Sequence, residues 1–170
     1  MRTRFLFIFF TIIVLAVGFF SCKKVEEFPI EPMITFNSFN KIPNGGNVDN
    51  YGILLIDFTD GDGDVGLKNT DIQPPFDTAS VYYYNFFIDY YEKQRGTFVK
   101  PALFETFNAR IPILNTSTEK QPLKGTISIE VPINNFASTY DTIRFDCRIC
   151  DRALHISNTI TTPEIIVKKH

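Results

Sequence analysis

The chain has 170 residues, 17 basic and 19 acidic side chains for a formal charge of −2, and 44% hydrophobic residues. That is enough for one domain with a proper core. Without a dense Lys/Arg cluster to neutralise phosphates, it offers nothing to a nucleic-acid partner. Three cysteines are too few and too unevenly placed for a disulfide framework. Eighteen Phe, seven Tyr and frequent β-branched residues favour strands over helices.

Residues 1–21 have the three parts of a secretory signal. Arg2 and Arg4 give the positive start, an apolar segment runs over 5–20, and Ser21 is a small residue at the cut site. The apolar run is marginal for crossing a hydrocarbon core of about 30 Å, so a transmembrane anchor is the alternative reading. Gly18-Phe19-Phe20-Ser21-Cys22 resembles a bacterial lipobox, with Phe19 and Phe20 in place of the commonest residues. The resemblance implies that Cys22 is acylated and becomes the first mature residue, giving membrane attachment through an N-terminal lipid anchor. Lys23-Lys24-Val25-Glu26-Glu27 is similar to signals that send such lipoproteins to the cell surface, and a charged, solvated tether is the plainer alternative. The mature chain of 149 residues would carry 15 basic and 19 acidic groups, a net −4. Residues 22–32, with Pro29 and Pro32, read as a short stiff lipidated tether outside the fold.

From residue 33 to 170 the pattern is that of an all-β domain. Segment 33–39 ends at the turn cluster Pro43-Asn44-Gly45-Gly46, and 51–59 is nearly continuous in apolar residues, as in a central buried strand. Segment 80–92 places Tyr82, Tyr84, Phe86, Ile88 and Tyr90 on one face, and a turn over 93–96 leads into a fourth segment, 97–107. After a polar connection, 126–131 alternates with Ile127, Ile129 and Val131 inward. Segment 142–150 turns Ile143, Phe145, Cys147 and Ile149 inward, and 159–167 closes the domain. About seven strands with irregular loops fit an immunoglobulin- or fibronectin-III-like β-sandwich. If the strands alternate in direction, the loops after the second and sixth lie at the same end, bringing 60–71 near 151–158.

The first of those loops reads Asp60-Gly61-Asp62-Gly63-Asp64-Val65-Gly66. Counted from Asp60 as position one of an EF-hand-like loop, Asp62, Asp64 and Asp71 fall at three, five and twelve, all ligand positions. Val65 stands where an EF-hand has glycine, and position twelve is Asp rather than Glu. No helices flank the loop, so the expectation is an analogous Asp-rich site on a β-scaffold. Asp151 is a fifth candidate ligand, with turn capping or pairing to Arg152 or Arg148 as its alternative. All-oxygen donors on a flexible loop point to calcium and away from transition metals. The competing reading is an Asp-Gly turn left in water.

Phe58 through Gly66, then Tyr82-Tyr83-Tyr84-Asn85 with Asp89-Tyr90-Tyr91, then Asp151 through Leu154 with Ser157-Asn158 and Thr162-Pro163, resemble uncharacterised Bacteroidetes surface lipoproteins. The resemblance implies an outer-membrane location and an Ig-like domain, and it carries no activity. Cys147 and Cys150 have the spacing of redox and zinc motifs. On a strand, however, they point to opposite faces, with no second pair for zinc and no helix N-terminus to lower a thiol pKa. With His155 and His170 the only histidines and no Gly-x-Ser-x-Gly elbow, an enzyme is not expected. Tyr82–Tyr84 and Tyr90–Tyr91 read as packing rather than a sugar platform. The expected role is a non-catalytic binding or structural module for an unspecified protein or glycan partner. In that role the ion-stiffened loop end would be the contact surface. The rivals are an assembly subunit of a surface complex or filament and, from another class, a polysaccharide-acting enzyme.

Overall fold

A computed structural model describes residues 26–115 and 119–169. The signal segment 1–21, Cys22 and residues 23–25 lie outside the described residues.

The chain is nearly all β, with eight strands in two antiparallel sheets. They are β1 (Met33–Lys41), β2 (Tyr51–Asp60), β3 (Phe86–Gln94), β4 (Thr97–Val99), β5 (Leu123–Pro132), β6 (Thr142–Ile149), β7 (Ile160–Thr161) and β8 (Ile165–Ile166). One sheet has the order β1-β2-β5. The other runs β4-β3-β6-β7, with β8 pairing β6 as well.

Period-two alternation produces the sandwich. β2 and β6 bury every second residue, and their apolar rows meet between the sheets. Ile34, Leu54, Ile56 and Phe58 from the first sheet share one core with Phe86, Ile88, Tyr90, Ile143, Phe145, Cys147 and Ile149 from the second. Phe39 meets Phe145 across the gap with ring centroids 6.2 Å apart, and Tyr90 packs on both Phe107 and Phe145.

Three expected strands come out differently. Segment 80–92 is strand only from Phe86, because β6 ends at Ile149 opposite Phe86 and leaves no strand for 80–84 to pair with. Instead Ser80 caps a single 3₁₀ turn over Val81–Tyr83, its hydroxyl accepting from the Tyr82 N–H, so Tyr82 and Tyr84 leave the core face. Segment 97–107 is strand only over Thr97–Val99, opposite Glu92–Gln94, before Lys100-Pro101 breaks it. Segment 159–167 splits into β7 and β8 around Thr162-Pro163-Glu164, since Pro163 has no N–H to give the ladder. Thr162 keeps the sheet closed there: its Oγ1 accepts from the Phe145 N–H, and its own N–H donates to the Phe145 carbonyl.

Register fixes the two ends of the sandwich. Met33 faces Thr59 and Leu123 faces Asp60 at one end of the first sheet, while Lys41 faces Gly52 and Pro132 faces Tyr51 at the other. The connections 61–85 and 150–159 therefore gather at the Asp60 end, where Ala109 and Pro112 join them by bridges to Phe86 and Leu67, and 42–50, 95–96 and 133–141 gather at the opposite end.

Candidate metal centre

Asp60 is the last residue of β2 and is fully buried. Beyond it the chain folds back, and the Val65 N–H donates to Asp60 Oδ2 at 3.0 Å. Val65 then forms an antiparallel bridge with Asp151, just past β6. Main-chain pairing thus holds the two acidic loops together, as alternating strand direction predicts.

The glycines make this fold-back possible. Gly63 and Gly66 have φ of +68° and +119°, conformations that side chains rarely adopt. A Cβ at Gly63 would also overlap the Gln121 carbonyl oxygen, and one at Gly66 the Pro112 carbonyl. Gly61 instead permits a close approach, donating its N–H to the Pro29 carbonyl at 2.8 Å where any Cβ would strike the Phe28 and Pro29 backbone. The part of the expected tether that is described is therefore docked on the domain at this loop, with Pro32 buried.

Asp60, Asp62, Asp64 and Asp151 each present a carboxylate oxygen to a common point, all four within 4.8 Å of one another. This cluster is able to hold a metal ion. Asp60 and Asp151 form its buried floor, while Asp62 and Asp64 open onto a cleft of about 260 Å³ that Lys68, Lys120 and Arg152 also line. Asp151 is held from its own loop: Oδ1 accepts the His155 N–H and Oδ2 meets His155 Nδ1, both at 2.8 Å. The Arg152 N–H reaches Asp64 Oδ1 at 3.3 Å, and Lys120 Nζ lies 2.7 Å from Asp62 Oδ2. Two oxygens in the cluster, Asp60 Oδ1 and Asp62 Oδ1, are buried with no hydrogen-bond partner.

The electrostatics follow. Burial, with the neighbouring carboxylates of Asp62, Asp64 and Asp151 adding to it, pushes the Asp60 carboxyl up to about 6, against the pull of the Val65 N–H. Asp64 is raised by burial first and then by Asp151 and Asp62. The hydrogen bond to Asp151 raises His155.

Asp71, expected at position twelve, stands outside the group. It closes the turn from Lys68, accepting the Lys68 N–H at 2.8 Å, and it pairs with Arg152. That bond, first among the causes, holds its carboxyl below the usual carboxylate range. An EF-hand carries its twelfth residue back to the ion on a helix, and no helix follows this loop. The alternative readings of Asp151 also hold in part, since it caps its own turn through His155 while joining the cluster. Ser157 and Asn158 serve structure. Ser157 Oγ accepts from the Ile149 N–H, and Asn158 pairs its side chain with both backbone groups of Ile34.

Two supporting residues escaped the sequence reading. Buried Asn85 exchanges hydrogen bonds with the backbone of Ile111. Arg110 donates to the carbonyls of Tyr83, Lys68 and Asp71 while stacking 4.7 Å from the Tyr83 ring, which holds the long 61–85 connection in place. Cys147 and Cys150 are both buried, and burial pushes each thiol up to about 12, the opposite of what redox chemistry needs. Comparison of the chain with protein-family models, curated proteins and solved structures finds no match.

Proposed function

We propose that this protein is a lipid-anchored, calcium-stabilised β-sandwich of the bacterial outer membrane that acts as a non-catalytic binding or structural module. The observation that carries the calcium reading is the pair of orphaned oxygens, Asp60 Oδ1 and Asp62 Oδ1, inside a group of four carboxylates. A buried acceptor without a donor costs about 1–3 kcal/mol, and more when charged. A cation at the common point would satisfy both and cancel the mutual repulsion. Calcium takes oxygen ligands at about 2.4 Å, so oxygens around it stand up to about 4.8 Å apart, and the four here lie within that limit. Water in the cleft would complete its six to eight ligands.

The lipid anchor at Cys22 and the outer-membrane address rest on the lipobox-like run. The immunoglobulin-type reading is supported by strand order: first, second and fifth strands in one sheet, third, sixth and seventh in the other.

Thermal unfolding of residues 23–170 with calcium and with chelator tests the ion. A ligand that binds only the folded state at 100 times its Kd adds about 2.7 kcal/mol. An upward shift with calcium, lost in the D60N/D62N/D64N variant, is expected. No shift at millimolar calcium would leave an Asp-Gly turn and remove the metal from the proposal.

A further inference from the structure

Resting on the lipid-anchor reading above, we infer that the carboxylate end of the sandwich is the end laid against the lipid surface. Partner contact would then fall to the opposite end. This reverses the assignment that the sequence suggests for the contact surface.

The tether does not leave the domain freely. Gly61 holds the Pro29 carbonyl at 2.8 Å, and Met33 pairs Thr59 beside Asp60, so the chain comes off the sandwich at the carboxylate end. Cys22 is seven residue steps from Pro29, and a fully extended chain covers at most about 3.6 Å per step, so the acylated residue stays within about 25 Å of this loop. The ten residues of β2 span roughly 33 Å at about 3.3 Å each. From Pro29 the anchor therefore cannot reach the far end of the sandwich.

The surface at this end is suited to a lipid boundary. Ile30, Ile72, Val81, Leu114 and Ile156 are exposed there on the tether and the connections, with Met33 at the start of β1. Among the described residues, the opposite end exposes Phe136 on a loop and Tyr51, Val99 and Ile166 on strands. Beside Val81 and Ile156 a cleft lined by Tyr82, Tyr84, Phe87 and Arg148 adds rings with a polar tip and a cation, which suit the headgroup level. An apolar bias of this kind at the end nearest an anchor fits partial seating in the interface.

The test uses the full chain, produced in a lipidating bacterium and reconstituted into phosphatidylcholine vesicles carrying a spin-labelled headgroup. A fluorophore is placed on A153C at the carboxylate end or A137C at the other. Both positions are exposed, whereas Cys147 and Cys150 are buried and escape labelling. Several-fold stronger quenching at residue 153 than at residue 137 is expected. Equal quenching, stronger quenching at 137, or none at either position in protein that floats with the vesicles would overturn the orientation while leaving the anchor intact. Failure of the full chain to float with vesicles would overturn the anchor, and the orientation with it.

Discussion

Asp60 ends a strand of one sheet, Asp151 follows a strand of the other, and their carboxylates point at the same spot. One closes β2 and the other lies two residues past β6, with Val65 joined to both, by hydrogen bond and by bridge. Whatever occupies that spot ties one sheet to the other beside Val65, at the edge of the core.

The single variant Asp60→Asn separates a metal site from a structural aspartate. Without an ion, Asp60 is a buried carboxylate that three other acids repel. In chelator, the variant should therefore be at least as stable as the parent. With calcium the parent should gain stability and the variant should gain much less. A variant that loses stability equally in both buffers would make Asp60 a turn residue only. Urea unfolding in the two buffers reads the difference.

The pH dependence in chelator has a definite sign. Asp60 titrates near 6 in the folded chain against 3.8 in the unfolded one, so between those values the folded state binds more protons. Stability should then rise as pH falls from above 6 towards 4, and fall as pH rises through the same window. Asp64 is raised as well and acts in the same direction. Asp49 and Asp71 are lowered, each mainly by a side-chain hydrogen bond to a cation, and they withdraw stability only below pH 3.8. Urea midpoints in chelator between pH 4 and 8 should show the reverse slope flatten in Asp60→Asn.

Gly66→Ala and Gly96→Ala form a matched pair. Both positions have positive φ, but a Cβ at Gly66 meets the Pro112 and Ile113 backbone, whereas one at Gly96 meets nothing. Gly96→Ala should cost about 1–2 kcal/mol for its backbone conformation alone. Gly66→Ala should cost clearly more and lower calcium affinity, because the loop must move. Equal losses in the two variants would show that the fold-back is not tightly held.

Glu92 is the buried charge of the far end, 1% exposed. Its carboxylate accepts from Tyr90 Oη, Gln94 Nε2, Asn135 Nδ2 and Ser138 Oγ, which ties β3 to the 133–141 connection. Removing it strands several donors, so Glu92→Ala should cost about 3 kcal/mol or more. Glu92→Gln, which keeps one of the two acceptor oxygens and fills the same volume, should cost less. Denaturant midpoints compare the two.

Much of the fold could be read from alternation. β2 and β6 each bury every second residue, and Ile143, Phe145, Cys147 and Ile149 all lie where the pattern puts them. The same alternation misleads at Tyr82 and Tyr84, because period two describes a chain's preference and not whether a partner strand exists opposite it. Asp60, Asp62 and Asp64 were legible from spacing, and Asp151 from strand direction. Asp71 was misplaced because counting along a loop cannot show that Arg152 sits closer. Asn85, Arg110 and Glu92 carry no signal in sequence, since a lone polar residue beside a strand resembles any other until its partners are known.

The break at Thr162-Pro163-Glu164 bears on how copies of this chain behave together. An open sheet edge is a template for the next chain. Here the edge beside β6 is two strands of two residues each, with a proline between them and a threonine hydroxyl bonded inward. No continuous row of amides and carbonyls faces outward along that side, and a neighbour cannot extend the sheet across it.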